Sequence, residues 1–175
     1  NSAFWRWWYG NLTCFTHEHM QTFGYMWAMM SVIEDLYADE AEQKEKLKTY
    51  YPFFNTEPQI GCTVVGVTCG MEEARANGNE TVDDEMINGI RAGLMGPLAG
   101  IGDAIFWFTI LPIVAGICSS MAMEGSIVGP ILFFAVYAII FAMRWFWTHL
   151  GYNLGAKAVA QITEASEVVA KAATV

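Results

Sequence analysis

The 175-residue sequence has few charged residues, and most of those it has are acidic. Charged residues make up 15% of the chain, against about 25% in an average soluble protein. Nine Lys and Arg residues face eighteen Asp and Glu residues, which gives a formal net charge of −9. Nucleic-acid binding needs a basic face that neutralises phosphates, so this balance excludes a nucleic-acid partner.

Patterns typical of metal or redox chemistry are also missing. The four cysteines contain no C-x-x-C pair, and three of them lie in apolar runs, which predicts buried free thiols. His17 and His19 are two positions apart and diverge on a helix, while His149 stands alone. We therefore expect no metal, no cofactor and no phosphoryl-carrying histidine, and a surface or interface position for all three histidines.

Apolar residues dominate what is present, with 54% hydrophobic and 14% aromatic. Two runs without charge, 104–123 and 126–143, are each long enough to reach most of the way across a hydrocarbon core of about 30 Å. Arg144 and the aromatic residues 145–147 follow the second run like an interfacial belt. The pattern favours two transmembrane helices, and a buried helical hairpin in a soluble protein is the alternative.

The remaining segments also indicate helices. Residues 4–37 have an amphipathic, aromatic-rich pattern that fits either an interfacial helix or a core-facing one. Residues 39–48 predict a charged surface helix, and 60–71 are too short to span a membrane, which predicts a buried helix or a re-entrant piece.

The predicted fold is thus an all-α membrane protein, treated as one domain over 1–175. Its amphipathic and interfacial helices occupy 1–91, its membrane-embedded part occupies 92–152, and a further helical region starts in 153–175.

The stretch 92–108 combines four glycines, Pro97 and a single carboxylate with otherwise apolar residues. It predicts a helix broken at 92–103, beside the carboxylate of Asp103. A carboxylate between apolar runs costs a few kcal/mol or more unless it is paired, hydrated or facing a cavity. We expect four residues to line or gate a substrate pathway: Gly96, Gly100, Gly102 and Asp103.

Two architectural interpretations of this stretch remain open. The pairs Gly89/Gly93 and Gly96/Gly100 fit the small-xxx-small pattern of close helix packing. Asp103 fits the cap of a helix that begins at residue 104. The glycines complete no phosphate-binding loop, so nucleotide binding is not supported.

The segment "FFNTEPQ", residues 53–59, brings hydrogen-bonding groups and aromatic rings together. Amides, a hydroxyl and a carboxylate can pair with sugar hydroxyls, and the ring of Phe53 or Phe54 can cover the apolar face of a sugar. The candidate hydroxyl-binding residues are Asn55, Thr56, Glu57 and Gln59. Alternatively, Asn55 and Thr56 only cap the following helix.

The motifs "FFNTEP", "EEARANG", "INGIRAGLMGPLAGIGDAIFW" and "GSIVGPILFF" together resemble the IID membrane subunit of the bacterial mannose/fructose/sorbose-type sugar phosphotransferase systems. The resemblance covers nearly the whole chain, from about residue 8 to 156. Departures from the family pattern include His19 in place of an arginine. Leu111 stands where some members carry an arginine that could serve as a charge partner for Asp103. The chain also looks short at its C-terminus.

The resemblance implies a multi-pass protein of the bacterial inner membrane that pairs with a IIC subunit to translocate hexoses. It implies that soluble IIA and IIB subunits carry the phosphoryl group, so this subunit would be a non-catalytic part of the complex. It further implies a hexose substrate, a surrounding lipid bilayer and a higher-order oligomer of IIC–IID pairs.

Two other functions remain open at this point. One is a non-transporting scaffold that braces IIC and docks the soluble IIA and IIB parts. The other is a soluble helical enzyme.

Overall fold

Seven α-helices account for most of residues 1–173, the part of the chain that this computed structural model describes. Side chains are described for residues 1–155 and for Lys157. Two helical segments depart from α-helical geometry: a tighter 3₁₀ turn at Lys48–Tyr50 and a wider π-helix at Asp103–Ile110. Within the described residues, extended pairing is limited to isolated bridges, which confirms the all-α prediction. The helices are α1 Ser2–Thr13, α2 Thr22–Leu36, α3 Glu40–Leu47, α4 Cys62–Ala76, α5 Asp84–Gly102, α6 Leu111–Met123 and α7 Val128–Ala173.

The hydrophobic core lies among α1, α2 and α4. Trp7, Tyr25 and Val64 are fully buried there, which favours the core-facing interpretation of 4–37. The opposite face of α1 nevertheless leaves Trp5 44% and Tyr9 56% exposed. This helix therefore has apolar groups on both faces. The segment 60–71 lies mainly in α4, whose many buried residues support the buried-helix alternative.

The segment predicted as one helix over 4–37 is divided by a turn at 14–21. Met20 adopts a φ of 49° and forms a parallel bridge with Phe54. The backbone N–H of Gln21 donates to the Phe54 carbonyl at 3.0 Å. The turn thus ties the start of α2 to the loop that carries the candidate sugar-binding residues.

The predicted break at 92–103 is wrong in form and position. Helix α5 passes uninterrupted through the glycines and Pro97, and the irregularity starts at Asp103, where the chain becomes π-helical. A helix satisfies its backbone groups internally, whereas unwinding would expose them in an apolar stretch. In the π-helix the Thr109 hydroxyl donates to the Ala104 carbonyl at 2.7 Å, one residue farther back than in an α-helix.

Together α5, the π-helix and α6 form one continuous helical stretch, Asp84–Met123, that is long and apolar enough to cross a membrane. The second such stretch is Val128–Gly155. Both are longer than predicted. Only 17% of the most apolar window of each is buried, so the interpretation as a buried hairpin is wrong: a core helix would be covered.

Close helix packing occurs at other glycines than those predicted. A Cβ at Gly89, Gly93, Gly96 or Gly100 would meet nothing within 4 Å among the described residues. Instead α4 and α7 touch backbone to backbone. A Cβ at Gly66 would lie 2.0 Å from the Thr148 carbonyl oxygen, and one at Gly151 would lie 2.2 Å from the Thr63 carbonyl oxygen.

Helix α7 continues without interruption into the region predicted to begin a further helical part at 153–175. Its first half packs on α6, where Gly129 lies against the Cys118 carbonyl. From Arg144 onward one face is buried, and it packs on α4. The side chains of 156 and 158–173 and all of 174–175 lie outside the described residues.

Candidate functional site

The loop of residues 51–61, hereafter the site loop, is held in place by side chains from helices on two sides. The Gln21 side-chain oxygen accepts from the backbone N–H of Thr56 at 2.9 Å. The Arg91 guanidinium of α5 donates to two loop carbonyls, those of Pro52 at 2.7 Å and Phe53 at 3.1 Å. These bonds fix a segment without regular structure and so preorganise the groups it carries.

Glu57 is the central side chain of the site loop, and only 1% of its surface is exposed. Its Oε2 accepts from the backbone N–H groups of Gln59 and Ile60, each at 2.8 Å. The turn before α4 is therefore capped by Glu57 and not, as the alternative had it, by Asn55 or Thr56. The other oxygen, Oε1, is buried and has no hydrogen-bond partner among the described residues.

Gly102 and Asp103, at the junction of α5 and the π-helix, meet the site loop at Glu57. A Cβ at Gly102 would lie 2.6 Å from the Glu57 Cβ, so only glycine allows this approach. Asp103 is half-buried, and its negative charge acts on Glu57. Asp103 lies inside continuous helical backbone and makes no capping hydrogen bond, which makes the cap interpretation wrong. The two segments that the sequence analysis identified separately, 92–108 and 53–59, thus meet at Glu57.

The pKa of Glu57 is raised above its usual value of 4.5. Burial is the main cause, since it penalises the charged form. The hydrogen bonds from Ile60 and Gln59 and the charge of Arg144 oppose this effect, while the charge of Asp103 adds to it. At any given pH, Glu57 is therefore protonated to a greater extent than an exposed glutamate would be.

Gln59 links the site loop to α7. Its Oε1 accepts from Nε of Arg144 at 2.9 Å. Arg144 was predicted to belong to an interfacial belt, yet only 7% of its surface is exposed. A sequence signal for this was available, because Arg144 is the only Lys or Arg residue between Arg91 and Lys157.

The other predicted residues lie at varying distances from Glu57. Asn55 is half-buried, and its backbone N–H donates to Met95 Sδ at 3.3 Å. The Thr56 hydroxyl is buried without a partner among the described residues. Gly96 and Gly100 are exposed and meet no other part of the described chain.

Phe54 does not face a ligand. Its ring is fully buried, stacks on Tyr25 at a centroid distance of 4.3 Å and meets Trp7 edge-on. Phe53, 49% exposed, retains a free surface. The prediction of an aromatic cover therefore survives only for Phe53.

Among the described residues, no group of three or more His, Cys, Asp or Glu side chains is placed to hold a metal ion. His149 contacts the Trp145 carbonyl through Nδ1 at 2.9 Å, and His19 packs against Phe23. His17 is exposed. The carboxylate, amide and hydroxyl groups around Glu57 are suited to hydrogen bonding with a polar, uncharged guest.

Comparison with known protein families places this geometry in context. The family described as PTS system mannose/fructose/sorbose family IID component matches residues 1–175. The chain belongs to this family. The IID chain is 44% identical to a sorbose-specific EIID component of Klebsiella pneumoniae, over 85% of the chain and 54% of that protein. It is also 44% identical to a mannose-specific EIID component of Escherichia coli K12, over 79% of the chain and 49% of that protein.

A third relative is the fructose permease IID component of Bacillus subtilis, with 41% identity over 82% of the chain and 52% of the relative. The IID chain thus spans about half the length of these curated relatives. Among solved structures, a complex of the mannose transporter ManYZ with microcin E492 contains a similar chain. The TM-score is 0.83 at 37% identity, covering 95% of this chain and 64% of that one.

Proposed function

We propose that this chain is part of a membrane subunit that carries hexoses across the bacterial inner membrane together with a IIC subunit, coupled to phosphorylation by IIB. Family membership supports the general role, and the relatives' names refer to sorbose, mannose and fructose. Two long apolar helices with mostly exposed surfaces support a multi-pass membrane location. The ManYZ complex supports pairing with a second membrane subunit.

The observation that carries the pathway assignment is the buried carboxylate of Glu57. Glu57 lies where the site loop meets the α5–π-helix junction, its Oε1 is buried without a partner among the described residues, and the charge of Asp103 acts on it. An unsatisfied buried acceptor costs about 1–3 kcal/mol, and a sugar hydroxyl would relieve that cost. Glu57 and Asp103 are thus the residues through which this subunit acts on the sugar, with Asn55, Thr56 and Gln59 supporting them from the loop.

Gly102 would set the access to Glu57. The helix backbone at Gly102 lies directly on the Glu57 side chain, and in this proposal a movement of the π-helix controls access to Oε1. π-Helical segments recur at functional sites. In this scheme Gly96 and Gly100 keep the exposed face of α5 smooth for the IIC subunit, and the phosphoryl group stays on the IIA and IIB subunits.

The test is hexose uptake by cells that carry the full-length protein and its partner subunits. Glu57→Gln and Asp103→Asn should each lower uptake about tenfold or more, as expected when a charge-assisted hydrogen bond is lost. Glu124→Gln removes one exposed acid from the α6–α7 turn and should leave uptake unchanged. Normal uptake by both site variants, at normal protein levels, would remove the assignment.

A scaffold that braces IIC and docks the soluble subunits is the second candidate. One observation favours it: α3, which is rich in Glu and Lys, has no buried residue and so presents a free charged surface. If scaffolding is the function, charge reversal at Glu42 should abolish co-purification of the soluble subunits while the site variants transport normally.

A further inference from the structure

A groove of about 440 Å³ lies between α1 and α7, and Gln59 of the site loop forms part of its wall. Its walls are largely aromatic and aliphatic, from Trp8, Tyr9, Leu12, Tyr137, Ile140 and Phe141. Its polar groups come from Asn11, Thr13, Gln59 and Arg144.

The Arg144 guanidinium is a buried cation that is incompletely satisfied. Nε donates to Gln59, but no hydrogen bond or ion pair within 4 Å accounts for Nη1 and Nη2 among the described residues. Glu57 acts on it only at longer range, through its charge. Nη1 and Nη2 make no hydrogen bond to the described residues but keep access to the groove that Arg144 lines, and phosphate oxygens match their fork of donors.

Asn11 provides a second incomplete group in the same groove. Its Nδ2 donates to the carbonyls of Trp7 at 2.7 Å and Trp8 at 2.9 Å, which fixes the orientation of the amide. Its Oδ1 is buried and has no partner among the described residues. The groove therefore combines unused cationic donors with an unused acceptor.

The groove lies at the boundary between two parts of α7. Before Phe141 the helix packs on α6 and leaves large apolar side chains exposed, such as Phe134 at 74%. From Arg144 onward one face is covered by α4. We place this boundary in the headgroup region, because about 20 residues from Val128 suffice to cross the hydrocarbon core and because the exposed rings of Trp5 and Tyr9 on α1 suit an interface.

We propose that this groove binds a phospholipid with an anionic headgroup, such as phosphatidylglycerol. The phosphate pairs with Nη1 and Nη2 of Arg144, the hydroxylated headgroup reaches Asn11, and an acyl chain lies along Tyr137 and Phe141. A hexose fits less well, because its several hydroxyls need paired donors and acceptors, whereas most of this wall is apolar. The groove shares Gln59 with the site loop but is not lined by Glu57, and the lipid proposal does not rest on the proposed transport role.

The experiment is native mass spectrometry of the full-length protein purified with its membrane partner, after titration with phosphatidylglycerol. Diacylglycerol with the same acyl chains tests the contribution of the chains, and inorganic phosphate tests a soluble anion. The wild type should retain phosphatidylglycerol at least about tenfold better than diacylglycerol, since the charge-assisted bonds are present only with the phosphate. The wild type should not retain inorganic phosphate.

Two variants should lose this preference. Arg144→Gln removes the cation, and Leu12→Glu places an acid in the groove at a position that is 54% exposed, so that folding is not at risk. Arg6→Gln, which removes a cation elsewhere on α1, and Leu12→Gln should both retain it.

The proposal would be overturned if the wild type retained diacylglycerol equally well, or if it retained inorganic phosphate or hexose. Unchanged retention of phosphatidylglycerol in Leu12→Glu would overturn it as well.

Discussion

At the scale of single residues, one glycine determines whether the candidate site can form. Gly102 and Gly100 are two positions apart in the same helix, yet a Cβ at Gly102 would lie 2.6 Å from Glu57 while one at Gly100 would meet open space. The difference arises from the direction each residue faces and is invisible in the sequence "AGIGD".

Gly102→Ala should destabilise the protein by about 1–3 kcal/mol, the usual cost of overpacking. Gly100→Ala should instead stabilise it by up to about 1 kcal/mol through the better helix propensity of alanine. Thermal unfolding of the two purified variants in detergent measures both effects. Equal behaviour of the pair would contradict the packing described at Glu57.

Glu57 also makes stability depend on pH. Because burial raises its pKa above 4.5 in the folded state, the folded protein holds this proton more tightly than the unfolded chain. Its contribution is therefore fully present below pH 4.5 and is lost as the pH rises through the folded pKa.

The stability difference between wild type and Glu57→Gln should accordingly shift in favour of the variant as the pH is raised from 4.5 towards neutrality. Unfolding midpoints of both proteins across this range provide the measurement. A difference that is constant with pH would mean that Glu57 titrates normally in the fold.

At the scale of secondary-structure elements, the contact between α4 and α7 joins the core to the membrane-spanning region. Gly66 and Gly151 bring the two backbones together, and Gly155 repeats the contact one turn later against the Val67 carbonyl. Such close approach permits weak Cα–H···O bonds and dense packing.

Gly151→Ala should push the helices apart, because its Cβ would lie 2.2 Å from a backbone oxygen that cannot rotate away. We expect a loss of about 1–3 kcal/mol, read from thermal unfolding. Gly116→Ala, in an exposed part of α6 with nothing within 4 Å, is the matched control and should cause no loss.

At the scale of the whole molecule, a buried acid connects segments that are distant in sequence. Glu72 of α4 is fully buried and accepts hydrogen bonds from Tyr37, Tyr50 and Arg75. Arg75 in turn pairs with Asp84 at the start of α5. Burial, assisted by the charge of Glu72, raises the pKa of Tyr37 to about 12, so this hydroxyl remains a donor at physiological pH.

Glu72→Ala should destabilise the molecule by about 3–5 kcal/mol, since it leaves Arg75 buried without its main partner. Denaturant unfolding gives this value directly. The exposed pair Lys44–Glu40 is the comparison, and Glu40→Ala should change stability by less than about 1 kcal/mol.

Much of the architecture was predictable because hydrophobic periodicity and length are local properties. The charged helix predicted over 39–48 is found as α3, and the cap of α5 is equally local, since the Asp83 side chain accepts from the Met86 N–H at 2.7 Å. The continuity of α5 was not predictable, because glycine and proline favour a break locally. The hydrogen bonds that the backbone N–H and C=O groups form within the long helix outweigh that preference.

The candidate site was predictable in its parts. The residues of the site loop and the Gly102–Asp103 pair stood out by chemistry, since buried acids and flexible backbone are costly unless they serve a purpose. Gln21 and Arg144 were missed because their roles depend on partners 35 and 85 positions away.

The sequence by itself determined the helical class, the apolar stretches and the membership of the IID family, because these depend on composition, period and motif order along the chain. Only the tertiary structure decided which glycines pack, that Glu57 meets Gly102, and that Arg144 lines a groove beside α1. Those outcomes depend on which faces of the helices meet, and the orientation of each helix is set by the packing of the whole core.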